Sequence, residues 1–401
     1  MNTQRIHGVW VALGVVLLAG LLLFALGRKV RQFQMRSDTS GQVLSSQTAT
    51  SNLSAATTTH AQDEGVSLNS LTPRRVNEVL DRIKQATEQL RQREGPEESR
   101  RAFAMLRGYL GAADRETAFA AVGEFLDSNA DAPSGLEFSI GPDGFLAEAS
   151  SLRVFLLDNL ARVDRGGAAA HAEKILVSKD SPDEWAVALR NYALGRTDAN
   201  ARSFLREKWR EMVLYETWQR EPSIGFLQAF DVAVYLGGTE LMPLLTDLVR
   251  RMERPAVAHA AFLSLDRLII QAPADSLSQL LGNLDSLQGR EATRASFFAR
   301  ADVSDPRQKK ILEEYLLSPQ IGGSELNAFA GLYPHASYMV SFNLLSQATT
   351  PDHAAIVHLD RESLRVVQEW LADPQFEQLA PHLQGIKSRL ETFIQAAPKP
   401  P

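Results

Sequence analysis

The sequence predicts an all-α fold: an antiparallel helix-pair repeat array, or α-solenoid, preceded by a single transmembrane helix and a disordered linker. Three observations carry that expectation: an uncharged apolar run at 8–27, a Ser/Thr-rich stretch behind it, and apolar residues at helical spacing from residue 73 onward. That spacing is broken repeatedly by Gly, Pro, Asp or Ser, and no alternating strand ladder competes with it. The 401 residues divide into a tail at 1–7, a transmembrane helix at 8–27, a basic juxtamembrane segment and linker at 28–72, a repeat domain at 73–396 and a disordered tail at 397–401.

Residues 8–27 read GVWVALGVVLLAGLLLFALG. As a helix rising 1.5 Å per residue, such a run covers roughly 30 Å of hydrocarbon. Ala25-Leu26-Gly27 also offers the small residues of a cleavage site, but Arg28 and Lys29 directly behind it are unfavourable, so a retained anchor is expected. Its orientation is contested. Arg28, Lys29, Arg31 and Arg36 follow the span and only Arg5 precedes it, which by the positive-inside rule puts the C-terminal domain in the cytoplasm. The signal-like position, the polar tether and the absence of cysteine suit an exported domain instead. The expectation adopted is a single-pass cell-membrane protein with an extracytoplasmic C-terminal domain. Residues 37–72, rich in Ser, Thr, Ala and Gln, cannot bury enough surface to offset their ordering entropy. A flexible tether of that length reaches on the order of 30 Å.

From residue 73 the helical period predicts helices over 73–93, 97–110, 114–128, 144–164, 167–178, 182–195, 198–218, 223–236, 239–252, 255–270, 275–287, 291–300, 306–317, 323–332, 336–347, 353–371 and 374–396. The clearest stripe is Leu241, Leu244, Leu245, Leu248, Val249 and Met252, faced by Val257, Ala261, Phe262, Leu265, Leu268 and Ile269. Helix starts recur as a capping oxygen before proline: Thr72-Pro73, Ser181-Pro182, Asp305-Pro306, Thr350-Pro351 and Asp373-Pro374. Ser181 and Glu184 also fit a capping box.

Composition limits the chemistry. The formal net charge of −6 includes five basic residues at or before Arg36, which leaves −11 over residues 37–401 and argues against nucleic acid as a partner. With no cysteine, disulfides, thiolate metal sites and cysteine nucleophiles are excluded. The eight histidines form no His-Glu-x-x-His pair, and His353 and His358 point about 140° apart on a helix. No nucleophile elbow, phosphate-binding loop or dinucleotide fingerprint is present. No catalytic residue, cofactor or metal is therefore expected.

The phrase Leu236-Gly237-Gly238-Thr239-Glu240-Leu241 returns as Ile321-Gly322-Gly323-Ser324-Glu325-Leu326, 85 residues later. Half that distance is roughly 42, and paired glycines before a Thr or Ser read as a helix-to-helix junction. With the turn Glu253-Arg254-Pro255, these features resemble HEAT-type helical repeats over residues 97–396, whose units are helix pairs of about 40–47 residues. The Asp and Arg of the HEAT second helix are not periodic here, and 129–145 does not fit. Tetratricopeptide repeats are the neighbouring reading, without their Trp-Leu-Gly-Tyr pattern. The resemblance implies a fold and a binding style, not an activity.

Two places stand out as candidate partner-binding surfaces. In 129–143, Leu136, Phe138 and Ile140 alternate before the turn Gly141-Pro142-Asp143-Gly144, a strand-like signal inside a long irregular loop. In the helix at 198–218, Tyr215 and Trp218 fall partly off the stripe formed by Leu205, Trp209, Met212 and Val213. Packing within the fold is the competing explanation of both. The function expected is a membrane-tethered protein–protein interaction scaffold; the alternative is an enzyme or enzyme-accessory domain acting on envelope material, with a site around the 129–145 loop.

Overall fold

In the computed structural model, residues 68–336, 343–347 and 352–397 are described. The expected anchor at 8–27, most of the linker, the Thr350-Pro351 cap and residues 337–342 of the helix expected over 336–347 lie outside them. The described chain is helical apart from one two-stranded hairpin. The helices are α1 Leu68–Gln92, α2 Pro96–Ala112, α3 Arg115–Asp127, α4 Leu152–Val163, α5 Arg165–Ile175, α6 Pro182–Gly195, α7 Ala199–Val213, α8 Glu216–Arg220, α9 Ile224–Gln228 and α10 Asp231–Leu236. They continue as α11 Met242–Val249, α12 Pro255–Gln271, α13 Pro273–Leu281, α14 Glu291–Phe298, α15 Pro306–Leu316, α16 Gly323–Leu332, α17 His353–Ala372 and α18 Ala380–Ala396. The hairpin, β1 Ser139–Ile140 and β2 Leu146–Glu148, lies between α3 and α4. Among the described residues no helix is long and apolar enough to cross a membrane.

Neighbouring helices fall into two rows. α4 packs on α6, α6 on α9, and α9 and α10 on α12, then α14 on α16. The helices between them, α5, α7, α11, α13 and α15, form the second row, each against an adjacent first-row helix or the next member of its own row. Both rows bury one apolar face in a continuous core running from Leu80 to Leu390. Composition sets how closely helices approach. The buried residues of α5 are Ala168, Ala169, His171 and Ala172, and at Gly195 of α6 a Cβ would lie 2.2 Å from the Arg165 carbonyl oxygen, so only glycine admits that contact. Larger side chains fill the wider gaps: Trp209 and Phe230 meet edge to face at 6.1 Å, and Phe298 stacks on Tyr315 at 3.9 Å.

The first row is tied by side-chain bonds between successive members. Arg153 pairs with Glu184, Arg190 with Asp158, Arg267 with Asp231, Arg300 with Asp266 and Arg294 with Glu325. Asn191 donates to the Leu157 carbonyl and Ser264 to that of Phe230. These partners are 31 to 36 residues apart in sequence, shorter than the half-interval of the Gly-Gly echo.

The echo also dissolves structurally. Gly237 and Gly238 both have positive φ and end α10, whereas Gly322 has φ −85° and Gly323 opens α16. Ser324 therefore sits inside a helix rather than capping it.

Most predicted helices are present, with corrections where capping or backbone geometry overrides the period. α1 starts at Leu68, so Pro73 lies inside it. The helix expected from 144 begins at Leu152, because Gly144 has φ 78° and Ser151 caps α4 through the Val154 N–H. The helix expected over 198–218 stops at Val213 and resumes as α8; that expected over 223–236 divides into α9 and α10. The one expected from 239 is confined to α11, which leaves Met252 beyond its end and exposed. Pro374–Leu379 is a 3-10 helix ahead of α18, and residues 343–347 are not helical. The capping box at Ser181 is half formed: Ser181 accepts from the Glu184 N–H, but the Glu184 carboxylate turns to Arg153.

Candidate functional site

The hairpin interrupts the run of helices and is where distant parts of the chain meet. Its alternation is genuine: Leu136, Phe138 and Ile140 are buried while Pro133, Gly135 and Glu137 are exposed, the period of a half-buried strand. Ser139 pairs with Glu148 and Ile140 with Leu146. The turn closes through Gly144 N–H to the Gly141 carbonyl at 3.1 Å, with Asp143 accepting from the Phe145 N–H at 3.1 Å.

Phe145 emerges from that turn between two guanidiniums, Arg162 at 4.1 Å and Arg190 at 4.7 Å from its ring centre. Asp158 of α4 lies beneath. Its carboxylate accepts from Arg190 at 2.6 Å and from the Leu146 N–H at 2.8 Å, with Arg162 at 3.4 Å. Arg190 is fully buried and also donates to the Gly144 carbonyl and to Asn191. Burial pulls its guanidinium below the ordinary range, and Asp158 opposes that shift. Burial pushes the Asp143 carboxyl up, but the Phe145 N–H and Arg162 outweigh it and hold the group below the ordinary carboxylate range.

Residues 343–347 cross the same junction. The Leu344 carbonyl lies so near Gly144 that a Cβ there would stand 3.0 Å from it, which with the positive φ makes glycine necessary. Asp231, at the start of α10, then accepts from the backbone N–H groups of Leu345 (2.8 Å) and Ser346 (2.9 Å), from the Ser346 hydroxyl, and from Arg267 at 2.7 Å. In a pure stack each repeat touches only its neighbours. Here one carboxylate holds backbone more than a hundred residues away, and the hairpin holds the same segment from the other side.

The carboxylates Asp158 and Asp231 are thus filled by donors, an arrangement that clamps backbone. A general base needs a pKa near the operating pH and a free face toward substrate, whereas Asp143 is held below the ordinary carboxylate range. Among the described residues no group of three or more His, Asp or Glu side chains is placed to hold a metal ion.

The structure places all five predicted partner-binding residues against the core. Leu136, Phe138 and Ile140 are buried under the hairpin. Trp218 is buried and meets Trp185 at 5.5 Å and Tyr215 at 5.0 Å; Tyr215 is half-buried, with Lys179 over its ring at 4.9 Å. Packing within the fold accounts for each, and the two groups are not brought together into one surface. Asp158, Arg190, Asp231 and Ser346 were not singled out from the sequence. Their signal was present for the first three as a charge set in an apolar run, as in Leu156-Leu157-Asp158-Asn159-Leu160 and Ala188-Leu189-Arg190-Asn191-Tyr192.

Large apolar side chains face solvent at several places: Met105, Tyr109, Ile224, Ile270, Leu332 and Phe393 within helices, and four others just beyond helix ends. Val177, Leu214, Met252 and Leu317 follow the C-terminal ends of α5, α7, α11 and α15, and are 77%, 48%, 63% and 42% exposed. The chain matches no protein-family model, no curated protein and no solved structure.

Proposed function

We propose that this chain is a membrane-tethered scaffold for protein–protein interaction that presents a HEAT-like helical repeat surface to its partner. The observation that supports it best is that Val177, Leu214, Met252 and Leu317 stand exposed just beyond the ends of four second-row helices. Scattered apolar exposure is ordinary, but exposure near the ends of four helices of the same row offers a partner several apolar contacts. Residues 8–27 supply the tether, and the scaffold acts near a bilayer through the linker behind them. The test is cross-linking in intact cells, gentle detergent extraction and recovery of the full-length chain. A defined partner should be recovered with the wild-type chain and lost with Val177→Asp, Leu214→Asp and Met252→Asp combined, at unchanged thermal stability. Recovery that is indifferent to these charges, or a monomer without partner, contradicts the proposal.

A further inference from the structure

We infer that the cavity between the start of α12 and α14 is a carboxylate-recognition pocket, which takes an acidic side chain of a partner polypeptide carried beside an apolar one. This rests on the scaffold reading and gives its partner a chemistry. The cavity measures about 350 Å³, with Met252, Pro255 and Phe262 as apolar walls and Arg290, His259 and Thr293 as polar ones. That is the lower end of the range of ligand pockets, enough for one or two side chains.

Arg290 sets this cavity apart. Arg153, Arg190, Arg267, Arg294 and Arg300 of the first row each have a carboxylate partner. Arg290 has none among the described residues. Its Nε is buried without an acceptor, and its Nη1 meets only the Met252 sulfur at 2.6 Å, a weak acceptor. The adjacent acid does not serve it: Glu291 accepts from the Gly289 N–H at 2.8 Å. A planar guanidinium with a buried, unfilled Nε donor and an Nη1 held only by sulfur matches the two oxygens of a carboxylate, which also supplies the missing charge. The exposed, unbranched Met252 supplies an adaptable apolar rim for the neighbouring side chain.

The probe is 3-phenylpropanoate, an apolar stem ending in a carboxylate, compared with 3-phenylpropanamide. Either is titrated into detergent-solubilised full-length protein carrying methyl-labelled methionine. The chain has seven methionines, and the Met252 signal is assigned by its loss in Met252→Leu. The carboxylate should move that signal saturably in the millimolar range, the amide at least about tenfold more weakly. Arg290→Gln should abolish the difference, and Arg290→Lys should retain part of it. Equal response to both probes, wild-type binding by Arg290→Gln, or no saturable movement up to about 50 mM overturns the inference. Should Arg290→Gln disturb the other methionine signals, the two probes on the wild-type protein decide alone. A failed titration with intact partner recovery removes the pocket only; lost recovery with a normal titration removes the scaffold reading only.

Discussion

The two helix rows solve different problems. In the first, α4, α6, α10, α12, α14 and α16 bury charged groups and satisfy them with partners on a neighbouring member of the row, as Asp158 and Arg190 do. In the second, ion pairs such as Lys174–Asp127 stand in solvent, and Val177, Leu214, Met252 and Leu317 are exposed beyond helix ends, just as Ile224, Ile270 and Leu332 are exposed on the first. Buried pairs contribute little net stability against an apolar replacement but penalise any arrangement that separates them. The first row therefore fixes how its helices stack and where the hairpin and residues 343–347 attach.

The largest expected effect follows from breaking a first-row pair. Asp158→Ala strands the fully buried Arg190 and removes the acceptor of the Leu146 N–H, and should cost about 3–5 kcal/mol in denaturant unfolding. A loss below about 1 kcal/mol would mean that Arg190 reaches water, and that the burial contrast between the rows is misplaced. Next is Asp231→Ala, which removes the acceptor of two backbone N–H groups. Hydrogen exchange at Leu345 and Ser346 should accelerate by roughly 10- to 100-fold, with little change in the middle of α5.

How far the sequence anticipated this contrast depends on the range of the interactions involved. Helix existence was legible because period and caps are local: Asp305 caps α15 and Pro255 opens α12 where their sequence signals stand. The hairpin was legible in the alternation of Leu136, Phe138 and Ile140, but its return strand was read as helix, because residues 144–148 acquire their partner only across the turn. The clamp at Asp231 was not legible, since nothing near residue 231 indicates that Leu345 and Ser346 will donate to it. Tyr215 and Trp218 drew attention as surplus aromatics on a single helix. The break after Val213 turns Trp218 back into the core, a change of direction that the helical period does not encode.

A smaller effect comes from protons. Burial, the dominant cause, holds His171 and His335 below their ordinary 6.5. Just below 6.5 the unfolded chain binds protons at these sites that the folded chain refuses. Their contribution to stability is therefore full above about pH 7 and falls as pH drops through 6.5 toward the lowered folded values. The melting temperature should decline over that window, and His171→Leu should flatten the decline; a stability that rises on acidification there would contradict the burial of both rings. Smallest of all is Lys174→Ala on the second row. It removes an exposed pair with Asp127 and should change unfolding by less than about 1 kcal/mol.

The central claim, that the uncovered second-row edge rather than the 129–145 hairpin meets a partner, is tested most directly by photo-cross-linking in intact cells. A photoreactive residue is placed singly at Leu214, at Met252 and at the exposed hairpin residue Glu137 of the full-length chain. The same partner should be captured from Leu214 and Met252 and none from Glu137. Capture from Glu137 alone would contradict the claim and move the functional surface to the hairpin.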